Sequence, residues 1–154
     1  MRLGSVGTVA LLGIAGALLL AQLVPVERIN PPVTGDLSAP PRIEATLRRA
    51  CYDCHSNETR WPSYSRVAPI SWLAAHEVER GRKQINFSDW GEYYPATRKR
   101  KLQWTDRAIR QEAMPPWPYR ILHPDAGLTE DDRAALERWI DGEISGQSAE
   151  SRNK

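Results

Sequence analysis

Cys51-Tyr52-Asp53-Cys54-His55 holds the only two cysteines of the 154-residue chain, and this pentapeptide restricts what the chain can fold around. Two thiols three residues apart on a helical turn share a side, and the imidazole that follows is carried next to them. That order of residue types suits a porphyrin. Each thiol reaches one of its vinyl groups, and the histidine supplies a nitrogen to the iron. The expectation is one covalently bound haem c on Cys51 and Cys54, with His55 as an iron ligand. A Cys51–Cys54 disulfide or a thioredoxin-like pair is the competing reading, but such pairs open a helix in a strand-helix-strand unit that is absent from the pattern. A zinc site would want a second paired cluster of ligands.

For the second iron ligand the sequence offers Met114, the one methionine besides the initiator. It lies in Glu112-Ala113-Met114-Pro115-Pro116, where two prolines stiffen the loop and remove two backbone donors. A Met/His pair is one standard arrangement for haem c, and core filling is the ordinary alternative use of a methionine. His76 is the alternative distal ligand. It is expected to face inward with Trp72 and Leu73 on a helix over 72–80 that is capped by Ser71 and stopped by Gly81. It reads equally well as a core histidine. His123 is read as a loop residue. The imidazole of His55 must donate its other N–H, and the carbonyl of Pro62 or Pro69 is the expected acceptor. Arg60, Arg66, Trp61 and Trp90 are candidate partners for the haem propionates.

Leu3 to Val24 carries no charged residue and as a helix would reach about 30 Å, the thickness of a bilayer core. Residues 1–24 are therefore expected to form a transmembrane anchor, with Arg2 on the cytoplasmic side; a cleaved signal peptide is the competitor. Residues 25–40 form a Pro-rich, semi-extended linker. A helix-forming pattern begins at Pro41, with Ile43, Leu47 and Ala50 on one face. Thr97 to Ala113 is compatible with a further helix. Thr129 caps another with Glu130, Asp131 and Asp132 in its first turn, Leu136, Trp139 and Ile140 on its buried stripe, and Gly142 as its stop. The exported part is read as an all-α domain with long loops over 41–143, followed by a flexible tail over 144–154. Few large aliphatic residues serve this core, so a haem would supply part of the filling. The formal charge of +2 gives no argument for nucleic acid as a partner, and Arg98-Lys99-Arg100-Lys101 is read as a solvated helix face.

The order of helix, C-x-x-C-H, late Met-Pro-Pro and a capped helix through Leu136-Glu137-Arg138-Trp139 resembles a small monohaem cytochrome c. A longer likeness is carried by Cys51 to Pro62, Tyr64-Ser65-Arg66-Val67-Ala68-Pro69, Ser71-Trp72-Leu73, His76, Gly81-Arg82, Asn86-Phe87-Ser88 and Trp90. These resemble the bacterial haem-binding domain family over about residues 35–143. Ala113 departs from it, standing where glycine is expected before the methionine. The resemblance implies a cytochrome c-like haem domain in an exported or membrane-tethered bacterial protein, with His55 proximal and Met114 distal; with the N-terminal segment it sets the expectation of a domain at the inner membrane on its periplasmic side. The function expected is one-electron transfer to a redox partner protein, by a carrier and not an enzyme. The alternative is a haem-based sensor whose distal ligand is displaced by a small molecule.

Overall fold

A computed structural model describes the backbone of residues 3–150 and the side chains of residues 6–146. Its helices are α1 (Leu3–Ala21), α2 (Pro41–Ala50), α3 (Tyr52–His55), α4 (Ile70–Gln84), α5 (Pro95–Arg110), α6 (Trp117–Leu122) and α7 (Glu130–Glu150). No strand occurs among the described residues, where one isolated parallel bridge joins Gly35 to Asp89. The all-α expectation holds.

Each main helix follows from its own residues. Pro41 sits in the first turn of α2, where a missing N–H costs nothing, and Ile43, Thr46, Leu47 and Ala50 are its buried face. In α7 the Asp132 N–H donates to Thr129 Oγ1 and the Thr129 N–H to Asp132 Oδ2, both at 3.1 Å, a reciprocal cap at the expected start. Arg49 ties this cap to the end of α2 through Asp132 at 2.8 Å. Leu136 and Ile140 are 0% exposed and close the core with Ile43, Leu47, Tyr52, Ile85, Phe87, Trp90, Leu102 and Ile109.

Three expectations change. Gly142 does not stop α7, because one helical glycine costs only about 1 kcal/mol and Ile144 adds a further rung against the core. Residues 144–150 are thus helix rather than loose tail; 151–154 lie outside the described residues. The segment over 25–40 is extended as expected but docked. The Thr34 and Gly35 N–H groups donate to the Ser88 carbonyl, the Leu37 N–H to that of Phe87, and Gly91 N–H to that of Gly35, while Leu37 is buried in the core. An extended chain leaves its backbone groups unpaired, and the 86–91 loop pairs them. The transmembrane span expected over 1–24 is the third. Among the described residues no helix is long and apolar enough to cross a membrane. What stands there is the apolar helix α1, with Val6, Leu11, Leu12, Leu19 and Leu20 exposed; Arg2 lies outside the described residues.

Two residues past the end of α5, Glu112 has φ 52°, the left-handed conformation that glycine adopts freely and other residues at a cost. It turns the chain so that the Ala113 N–H reaches the Ala108 carbonyl at 2.9 Å. Glu112→Gly is expected to stabilise the protein by about 0.5–1 kcal/mol, since the side chain given up makes only an exposed 3.4 Å ion pair with Arg133. Thermal denaturation checks this, and a lower Tm would mean the ion pair outweighs the backbone relief.

Candidate functional site

Cys51 ends α2, and α3 is the single turn that carries Asp53, Cys54 and His55. Neither cysteine is in a disulfide. Burial pushes the Cys51 thiol up to about 12 and the Cys54 thiol to about 11, so both remain S–H at neutral pH. Thiols in that state react slowly with one another or with oxidants.

The imidazole of His55 is fixed by two carbonyls of α4 and its exit. Nδ1 lies 3.0 Å from the Gly81 oxygen and 3.2 Å from the Ile85 oxygen. Carbonyls only accept, so Nδ1 carries the proton. Burial holds the ring pKa below its ordinary 6.5, which keeps it neutral and leaves Nε2 with a bare lone pair. This is the state a metal ligand needs. The acceptors differ from the expected Pro62 or Pro69, because α4 runs past Gly81 to Gln84 and brings its C-terminal carbonyls against the ring. The backbone is held as well: the Phe87 N–H donates to the His55 carbonyl at 2.7 Å. A histidine whose folded pKa is lowered resists protonation, so the unfolded chain binds more protons just below pH 6.5. Stability of the haem-free protein is therefore expected to be full above pH 6.5 and to fall as the pH drops through the lowered folded value. Replacing His55 with Gln should flatten that part of a urea-denaturation pH profile, and an unchanged slope would count against this assignment.

Helix α4 approaches the motif through Gly81. A Cβ built there would stand 2.3 Å from the Cys54 carbonyl oxygen. Gly81 is thus a packing surface inside the helix and not its stop. The packed face of α4 is Ser71, Val78 and Gly81, while Trp72, Leu73 and His76 are exposed. His76 precedes Gly81 by five residues, about 140° around the helix, and so points away from Cys54. Of the stripe expected to face inward none is buried: Trp72 and His76 lie on the far side of α4 from Gly81, and Leu73 alone turns toward it. Ile70, Leu73 and Glu77 do share the side of α4 that leads to Gly81, and the Glu77 carboxylate helps to raise the Cys54 thiol.

Asp53 ties the motif to the far end of the chain. Its Oδ1 accepts from the Arg60 N–H at 3.0 Å and from Arg60 Nε at 3.2 Å, and its Oδ2 from the Tyr119 hydroxyl on α6 at 2.8 Å. Next to this bond Tyr119 stacks on His123, with ring centroids 4.2 Å apart, and the Tyr64 hydroxyl is 2.7 Å from His123 Nε2. Asp53, Tyr64 and Tyr119 were not legible as site residues. Arg82, which like Tyr64 belongs to the family likeness, has a structural task. It bridges the motif to the extended segment, donating to the Ser56 and Ile29 carbonyls, Asn30 Oδ1 and Thr59 Oγ1 at 2.8 to 2.9 Å.

Of the remaining candidates, Met114 is 40% exposed in the turn between α5 and α6. Arg60 is committed to Asp53, and Trp61 Nε1 donates to Asn30 at 3.3 Å. Arg66 lines a crevice with Gln22, Val24, Arg28 and Ser71. Trp90 is buried in the core beside Tyr93.

These residues fit a haem. The motif presents a neutral imidazole with one free nitrogen and two unpaired thiols. Val67 just before α4, Ile70 and Leu73 on α4, and Trp117, Ile121 and Leu122 on α6 are exposed apolar side chains of the kind that wall a flat hydrophobic ligand. The family model for the haem-binding domain matches residues 16–142. The chain belongs to this family. No curated protein and no solved structure matches it. The match begins before α2, so the docked segment over 25–40 is part of the haem-binding domain, in keeping with its hydrogen bonds to the 86–91 loop.

Proposed function

We propose that this haem-binding domain carries one haem c, joined to Cys51 and Cys54 as thioethers and ligated by His55 Nε2 and Met114, and that it passes single electrons to a partner protein in the bacterial envelope. The observation that carries the reading is the His55 ring, neutral, anchored at Nδ1 and bare at Nε2 beside two S–H groups. The bound group supplies a one-electron couple. The protein's part is to hold the imidazole still through Gly81, Ile85 and Phe87, to keep the thiols protonated by burial, and to exclude water with the apolar side chains of α4 and α6. With His55 and Met114 both given to the iron no site would be left for a substrate, and the proposed role is that of a carrier and not an enzyme. Pyridine-haemochrome spectra of protein matured in a host able to attach haem c should report one thioether-linked haem per chain. Haem that acid–acetone extracts would overturn the covalent reading. Met114→Ala is expected to lower the potential and admit carbon monoxide to the reduced iron; a change seen only in His76→Ala would move the distal role to His76.

The exposure of Met114 favours a second reading, in which a displaceable distal ligand makes the domain a sensor of small molecules. Ready carbon monoxide binding by the unaltered protein would support it. We also propose that α1 seats the chain in the inner membrane with the haem domain on the periplasmic side. Its apolar side chains are exposed in the folded chain, and water is a poor solvent for them. Gln22 at its foot pairs with both backbone groups of Ala68 at 3.0 and 3.1 Å. Recovery in the membrane fraction, and release when residues 1–24 are removed, is the expected result.

A further inference from the structure

We propose that Tyr119 and His123 are positioning residues which lock α6 onto the Cys51–His55 motif and so hold Met114 where it would meet the iron. The inference rests on the reading of Met114 as distal ligand. The problem it answers is what keeps α6 in place. The helix has six residues and buries none of them; at that length it has no stability of its own in water, and no apolar face fixes it.

Its attachments are polar and aromatic. At one end the Tyr119 hydroxyl donates to Asp53 Oδ2 at 2.8 Å, and Asp53 lies between the two cysteines. At the other, His123 closes the helix with its N–H on the Tyr119 carbonyl at 2.9 Å. The His123 ring lies flat on Tyr119, 14° from parallel, and edge-on to Tyr64. A phenol is protonated at neutral pH and donates, so the Tyr64 hydroxyl donates a hydrogen bond to His123 Nε2 across 2.7 Å. Tyr64, His123, Tyr119 and Asp53 thus form one connected row from the 3₁₀ turn at Ser63–Arg66 to the motif. Pro115 and Pro116 then join α6 to Met114 with two fixed φ angles, so that a shift of α6 is passed on to the thioether.

Tyr119→Phe, which keeps the stack and removes the hydroxyl, His123→Ala and His123→Gln are compared with the parent and with Met114→Ala, all as full-length holoprotein. Haem content, Tm, the distal-ligand absorption of the oxidised form and the rate of carbon monoxide binding to the reduced form are measured at one temperature well below every Tm. Tyr119→Phe and His123→Ala should keep the parental haem content, weaken the methionine-iron absorption and bind carbon monoxide about tenfold faster, as the ligand-open fraction grows. His123→Gln, which can still accept from Tyr64, should recover at least part of the slow rate. A lowered Tm with carbon monoxide binding unchanged in both variants, while Met114→Ala binds readily, overturns the inference and leaves Met114 as ligand. Parental spectra in Met114→Ala overturn both. If His123→Ala does not fold, Tyr64→Phe, which removes one hydroxyl at the same row, serves in its place with the same expected direction.

Discussion

Gly81→Ala is expected to lower stability by about 2–3 kcal/mol, although alanine is the better helix former by about 1 kcal/mol. The new methyl would lie 2.3 Å from the Cys54 oxygen, 3.0 Å from its carbonyl carbon and 3.1 Å from its Cβ. Two of these three atoms are backbone in another helix, so no side-chain rotation relieves the overlap and α4 must move off the motif. That movement also takes the Gly81 carbonyl from His55 Nδ1, now at 3.0 Å. The imidazole loses the bond that sets its tautomer, and haem incorporation should fall together with Tm. For a chain of this size the fall in Tm is roughly 5–10 °C. Calorimetry of the variant decides: a Tm at or above the parent's would mean that α4 and Cys54 do not pack at this distance.

The neighbouring residue has the opposite requirement. Arg82→Ala should cost about 2–3 kcal/mol, because one guanidinium serves four acceptors, Ser56 O, Ile29 O, Asn30 Oδ1 and Thr59 Oγ1, all within 2.9 Å. Arg82→Lys should recover less than half of this, since a single ammonium cannot span four acceptors on two segments with planar geometry. The local effect is a loosened segment over 28–34, now held to the motif by Arg82 and by Asn57 Nδ2 on the Pro32 carbonyl at 2.8 Å. Limited proteolysis reads that loosening directly. Resistance equal to the parent's in Arg82→Ala would show that Asn57 and the 86–91 loop hold the segment without Arg82.

The difference between these neighbours explains what was readable. Pro41, the Ile43–Leu47–Ala50 face and the Thr129 cap act through the chain next to them, and local patterns place them within a residue or two. Gly81 carries the same letter whether it ends a helix or lets two backbones meet. Propensity favours the first use, and the second requires knowing that Cys54 lies opposite. The outward turn of His76 has the same cause, because the side of α4 that meets the motif is set by Cys54. Asp53 lay inside the motif, yet its acceptors' donors, Arg60 and Tyr119, stand seven and sixty-six residues away, and nothing local marks the second. The extended segment over 25–40 shows the same limit, since prolines foretell its conformation and say nothing of what its carbonyls will meet.

By itself the sequence determined the chemistry to be held: two thiols and an imidazole at a spacing that suits one porphyrin, in a chain whose periodicity is helical. These are properties of neighbours along the backbone. Only the tertiary structure decided which carbonyls receive the His55 proton, which face of α4 meets the motif, and that α6 is held by a row of hydroxyls and rings. Those contacts join segments far apart in the chain, and their geometry exists only once the helices have packed.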